Sequence, residues 1–173
     1  MPPRVVVTGM GVVTSVAHDV AGFTQALKLG RSGIARLSRP PLDVGAEISG
    51  FDFPALAQRT PAFVSAARRL GGRAPFSVQA SIIAALEAWT DARLCEAALP
   101  PERIGLVVAG NNTTRGYQQS LAEGFARDPE YLSPRYALQY QDSNQLGVLS
   151  ELFGLEGEGF VCGAASASGV VGL

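Results

Sequence analysis

Apolar positions along this chain follow two different spacings, and the places where one gives way to the other outline its elements. Residues 4–8 are a β-branched run, RVVVT, ended by Gly9, which predicts a short strand. Across 19–29, Val20, Phe23, Ala26 and Leu27 fall on one face at helical spacing, and Asp19 stands where an N-cap belongs. Between about 30 and 75 no period survives: Pro40, Pro41, Pro54, Pro61, Pro75 and several glycines interrupt it, predicting excursions and short helices. Val78, Ile82, Leu86 and Trp89 then repeat at helical spacing within 76–92, and Pro100 and Pro101 end the stretch after that helix. The run IGLVVAG at 104–110 is continuously apolar between turn signals, the pattern of a strand covered on both faces. Helical patterns return over about 115–126 and 142–153, the second with Leu146, Leu149 and Phe153 on one face. Residues 158–163 read as a last strand.

Strands alternating with helices predict an α/β layered domain over residues 1–173, and no solenoid period is present. A chain of 173 residues with 47% apolar and 17% charged side chains is large enough to bury a core. Its net charge of −1 offers nucleic acid or an anionic membrane no general attraction, so neither is an expected partner, although a local basic patch is compatible with it. Two cysteines are too few for a disulfide framework, and no paired Cys/His spacing suggests a metal. No apolar run approaches the ~18 residues of a membrane span, and no charged segment with a long apolar core precedes VVVTG. The expected compartment is the reducing cytoplasm.

Candidate chemistry concentrates in GEGFVCGAASASGVV, residues 157–171. A short β-rich run breaks at small residues into Ser166, and Gly169 with an apolar helix start comes next. A side chain at a tight strand-to-helix turn sits where free N–H groups and the helix dipole favour developing negative charge. Gly163, Ala164, Ala165, Ala167 and Gly169 leave room beside it for an acyl group. The plainer alternative is that Ser166 is a small N-cap. Cys162 is a competing thiol, but its place in the apolar run reads as a buried strand cysteine, and Cys95, between apolar helical stretches, reads as core. His18 precedes the first helix and reads as an exposed or capping residue. Gly9 and Gly11 in GMGVV lack the third glycine and acidic partner of a dinucleotide-binding loop. Asn111, Asn112, Thr113 and Thr114 either face a site entrance or cap the next helix.

The segment around Ser166 resembles the nucleophile region of the β-ketoacyl synthases, the condensing enzymes of fatty-acid and polyketide synthesis, whose motif reads roughly Thr-Ala-Cys-x-x-Gly before a helix. Ungapped counting from Gly157 to Gly169 puts Ser166 where that family carries its cysteine. RVVVTGMGVVTSVAHDVAGFTQAL with GRSGI is similar to the family's opening strand, turn and first helix. SVQASIIAALEAWTDARL with ERIGLVVAG is similar to a later helix and strand. Serine at the nucleophile position, together with AGNNTTRGYQQSL and DPEYLSPRYALQYQDSNQLG, resembles more specifically the ketosynthase-like decarboxylases of polyketide β-branching cassettes.

This resemblance implies the N-terminal half of a thiolase-like αβαβα fold. The family's two assisting histidines and its lysine belong to the later half, so the chain is expected to be incomplete at its C-terminal end and inactive alone. The implied reaction turns malonyl-acyl carrier protein into acetyl-acyl carrier protein, with the substrate on the carrier's phosphopantetheine arm and no other cofactor. The implied partners are the acyl carrier protein and either a second copy, joined through residues near 142–163, or a chain supplying the C-terminal half. Arg68, Arg69 and Arg73 read as a solvated loop or as a contact for the carrier protein or its arm. An ordinary condensing synthase and a noncatalytic partner subunit stay open as alternatives. Serine changes which reaction is easy. A thiol with an ordinary pKa of ~8.5 can be lowered into a neutral-pH nucleophile, whereas serine needs a dedicated base. Decarboxylation needs only the thioester carbonyl held in an oxyanion site while the enolate forms.

Overall fold

The computed structural model describes residues 4–37 and 42–173, so Pro40 and Pro41 lie outside the described residues. The chain divides into two compact units, Met1–Ser65 with Ile82–Ala98, and Ala66–Ser81 with Leu99–Leu173. No helix among the described residues is long and apolar enough to cross a membrane.

In the first unit, helix α1 covers Val20–Lys28, and the Asp19 carboxylate caps it by accepting the Gly22 N–H at 2.7 Å. The Arg59 guanidinium lies 2.9 Å from the same carboxylate. The Gly22 N–H bond, the largest influence, holds the Asp19 carboxyl below its ordinary value of 3.8 with help from Arg59, against burial, which ranks second and pushes it up. The irregular middle carries a two-residue hairpin, β1 (Ala35–Arg36) with β2 (Val44–Gly45), and the short helix α2, Phe53–Ala57, capped by Asp52. Helix α3, Val64–Gly71, and helix α4, Phe76–Asp91, each contribute residues to both units, and Val78, Ile82 and Leu86 of α4 are buried as their spacing predicts.

The strand expected at 4–8 is not part of any hydrogen-bonded sheet among the described residues, and Val5 and Val7 are 90% and 77% exposed. A β-branched run becomes a strand only when a neighbour pairs with its backbone. Side chains of α4 instead tie down the residues immediately after it. Met10 N–H donates to Asp91 at 3.0 Å, while Glu87 accepts from the N–H of Val12 at 3.0 Å and of Val20 at 2.7 Å. Gly9 and Gly11 are explained here: a Cβ on either would strike the backbone of α4, at the carbonyls of Ala88 and Ala84. They permit close packing on a helix.

The second unit is built on a parallel pair, β3 (Leu106–Ala109) and β4 (Gly159–Cys162), in the register Leu106 to Gly159 through Ala109 to Cys162. Parallel neighbours need a long crossover. It is supplied by helices α5 (Arg115–Arg127), α6 (Tyr136–Gln139) and α7 (Ser143–Phe153), after which Gly154, at φ 63°, ends α7 in the left-handed conformation. Two expectations need correction. In β3 only Val108 is buried, with Val107 and Ala109 exposed, because successive side chains point to opposite faces and one face alone is covered. In α7 the buried set is Gln145, Leu149 and Leu152, an i, i+4, i+7 stripe rotated from the predicted Leu146 and Phe153. Leu146 is half-buried and leans on Gly159 of β4.

Candidate active site

From the end of β4 the chain turns within a few residues. Gly163 comes first, where a Cβ would collide with the Asn111 side-chain oxygen, so the loop after β3 lies directly against it. Ala165 comes next but one at φ 48°, a left-handed conformation that a Cβ resists. Residues Ala165–Ala167 form a 3-10 turn, and a single helical turn, α8 (Ser168–Val171), continues it. Strain of this kind marks sites where the surroundings dictate the backbone. Ser166 is exposed at the middle of this strand-to-helix elbow, the place the sequence predicts for it.

Ser166 does not act as the N-cap. The residue before α8 is Ala167, and no side chain caps that end. Among the described residues the Ser166 hydroxyl has no hydrogen-bond partner. Ser168, which sequence reasoning missed, is the serine that holds the turn: it is 6% exposed, accepts the Ala164 N–H at 2.9 Å and donates to the Ala165 carbonyl at 2.7 Å. A Cβ on Gly169 would meet nothing within 4 Å, so space is open beside the turn. Gly172 instead packs where a side chain would press on Ala109.

Cys162 closes β4 and is half-buried, with its Sγ 4.0 Å from the Ser168 carbonyl oxygen. It belongs to the strand and not to the turn. Cys95 is exposed, not core, because α4 has ended before it. In the first unit His18 is half-buried with its ring edge-on to Phe51 at 5.7 Å.

Of the two alternatives for residues 111–114, side-chain capping of α5 is absent, while Asn111 lies against the elbow at Gly163. Thr114 occupies the N-cap position of α5, yet its hydroxyl donates to the Tyr140 carbonyl at 2.7 Å instead of capping. Asp142 ties down the loop ahead of the helix from across the unit, accepting from Thr113 Oγ1 at 2.7 Å, Asn112 N–H at 3.0 Å and Thr114 N–H at 3.3 Å, and no side chain caps α5 itself. Directly before SNQL, Asp142 holds the N-cap position of α7, yet its carboxylate makes no cap bond there and turns to the 112–114 loop, a use that the sequence does not signal.

Arg68 and Arg69 lie on α3 and not in a loop, while Arg73 follows in the turn after it. With Arg73, Arg135 and Gln139 they line an open cleft of about 510 Å³. Arg69 pairs with Glu151 at 2.6 Å between two exposed side chains, and Gln139 donates to the Arg73 carbonyl at 3.2 Å. Arg135 joins this cluster from 66 residues further along the chain than Arg69, which periodicity does not reveal.

Residues 3–173 match the family described as Beta-ketoacyl synthase, N-terminal domain. The chain is 31% identical over 172 residues to "Polyketide biosynthesis malonyl-ACP decarboxylase PksF" of Bacillus subtilis (strain 168), covering 96% of this chain and 39% of that protein. Among solved structures it is similar to a β-ketoacyl synthase from Burkholderia phymatum, with TM-score 0.70 and 22% identity over 97% of this chain and 41% of that one. It is also similar to "AntDE:AntF (apo): type II PKS acyl-carrier protein in complex with its ketosynthase bound to the hexaketide", with TM-score 0.59 and 22% identity over 92% of this chain and 42% of that one. These structural likenesses establish the fold, an α/β arrangement of the thiolase-like kind. The chain spans about two-fifths of the length of each of these proteins.

Proposed function

Because the chain belongs to the β-ketoacyl synthase family, we propose that it is part of a ketosynthase-like decarboxylase that converts malonyl-acyl carrier protein to acetyl-acyl carrier protein in polyketide β-branching. The observation that carries this reading is the exposed Ser166 hydroxyl at the elbow, with no base bonded to it among the described residues, and on this reading it takes the place of a condensing enzyme's thiolate. The named relative, a malonyl-ACP decarboxylase, supports the same choice.

In the proposed step the bond between the α-carbon and the carboxylate breaks, its electron pair stays on the α-carbon as an enolate, and CO2 leaves. A proton from water then gives the acetyl thioester. Negative charge develops on the thioester oxygen, and Ser166 serves as a hydrogen-bond donor to it through its hydroxyl or its N–H, without a covalent bond. No electron acceptor or metal is called for. The arginine cleft suits an acidic carrier protein, whose encounter it would steer by charge. The complete enzyme works as a dimer on this reading, with residues near 142–163 at the contact.

Incubating the full protein with malonyl-acyl carrier protein at low and high salt, and following the carrier by intact mass, tests this. Acetyl-carrier protein should accumulate with no acyl group on the enzyme, more slowly at high salt when the carrier is subsaturating. Malonyl-carrier protein persisting beside folded enzyme would refute it. A β-ketoacyl product from an added acyl donor would instead identify a condensing synthase.

A further inference from the structure

The side chain most firmly fixed at the elbow belongs to Ser168, two residues beyond the one that faces solvent. Its hydroxyl is buried and bonded on both sides, to the Ala164 N–H at 2.9 Å and to the Ala165 carbonyl at 2.7 Å. Two backbone bonds close the same loop, Ala167 N–H to the Ala164 carbonyl at 3.0 Å and Ser168 N–H to the Ala165 carbonyl. Between these anchors sits Ala165, a residue with a Cβ held at φ 48°. Such a conformation persists only where the surroundings over-determine it. The dihedrals of Ala165 also set the direction in which the next peptide leaves, and so where the Ser166 N–H and Oγ point.

We propose that Ser168 is the positioning residue of this site: its hydroxyl locks Ala165 in the left-handed conformation and thereby aims the donors of Ser166. Ser168 acts through the backbone and does not touch substrate. The catalytic part of this inference rests on the role of Ser166 proposed above, while the backbone part stands apart from it. The bland alternative is that Ser168 only fills space at the start of α8. Glycine separates the two. Glycine adopts the left-handed conformation at no steric cost, so it should relieve the loss of a lock but not the loss of a space-filling group.

The test compares Ser168→Ala, Ser168→Thr, Ala165→Gly and the double variant in the full protein. In decarboxylation of malonyl-acyl carrier protein, Ser168→Ala should lower kcat by about tenfold to a hundredfold, as misplacement of a reacting group does, with KM nearly unchanged. Ser168→Thr, which keeps the hydroxyl, should retain most of the rate. Ala165→Gly added to Ser168→Ala should recover most of what was lost. Hydrogen–deuterium exchange over residues 162–168 gives a readout independent of activity: the Ala164 amide should exchange at least tenfold faster in Ser168→Ala. Unchanged exchange at Ala164, or the absence of rescue by glycine in an active enzyme, overturns the proposal. An inactive wild-type protein refutes the decarboxylase reading instead, and exchange at Ala164 then decides by itself whether Ser168 is the lock.

Discussion

Replacing Asp142 should loosen the loop beside the elbow more than any single change at Ser166. Its carboxylate accepts a hydroxyl at 2.7 Å and two N–H groups at 3.0 and 3.3 Å, all from residues 112–114 ahead of α5. Bonds to a charged acceptor contribute about 1.5–3 kcal/mol each, but the Asn112 N–H is exposed and water can replace its partner. Thr114 is 2% exposed, so its N–H has no such recourse and would be left unsatisfied at about 1–3 kcal/mol. Taking the Thr113 bond and the Thr114 penalty toward the lower end of their ranges, Asp142→Ala should cost roughly 2–4 kcal/mol. Asp142→Asn keeps one oxygen for Thr113 and Thr114 but turns an amide donor toward the Asn112 N–H, and should cost about half as much. Urea unfolding of the full protein followed by circular dichroism measures both. An alanine variant within about 0.5 kcal/mol of wild type, the usual range for surface changes, would refute this anchoring of the loop, as would an asparagine variant equally destabilised.

Gly11→Ala should lower stability by about 1–3 kcal/mol, the usual penalty for overpacking, because its Cβ collides with the Ala84 carbonyl of α4. Gly169→Ala, where nothing lies within 4 Å, is the comparison that should melt like wild type. Asp19→Ala should cost about 1 kcal/mol through loss of the α1 cap, read from thermal melts near neutral pH. Because the folded-state carboxyl is depressed below 3.8, the stability from its ionised form is fully present above that value and disappears as pH falls through the lowered one. The gap between wild type and Asp19→Asn should therefore close only in strong acid, and a gap that closes near pH 6 would contradict the assignment.

What the sequence revealed depended on whether the information was local. Helices α1, α4 and α5 were legible because their periods run for several turns and Asp19 marks a start. The bend around Ser166 is legible because the apolar run breaks at small residues, and the turn follows β4 there. Residues 4–8 carry a strand pattern with no ladder among the described residues, since pattern reports propensity and pairing requires a partner. The buried face of α7 is not legible because apolar residues stand on two neighbouring stripes, and packing selects the one containing Gln145. Ser168 was passed over for a different reason. Nothing in its neighbours distinguishes it from Ser166; only the backbone reversal at Ala165 sends one hydroxyl inward and leaves the other outside. Asp142 likewise meets residues about thirty positions earlier, a distance no local period spans.

The devices that build the elbow are indifferent to the atom Ser166 carries. Gly163 against Asn111, the strained Ala165 and the two hydrogen bonds of the Ser168 hydroxyl all act on backbone or on neighbouring residues. On the proposed reading, a hydroxyl can therefore stand where the family carries a thiol without altering the turn, and the difference falls on chemistry alone. Covalent acyl transfer to this position asks the side chain to lose its proton before it attacks, and serine cannot do so near neutral pH without a base. Decarboxylation asks for no attack: its charge appears on the substrate oxygen, where an exposed donor held in one direction is enough. On the proposed reading, removing the thiol withdraws the covalent step and keeps the electrostatic one, which is why the locking of Ala165 by Ser168 should weigh more on kcat than on substrate binding.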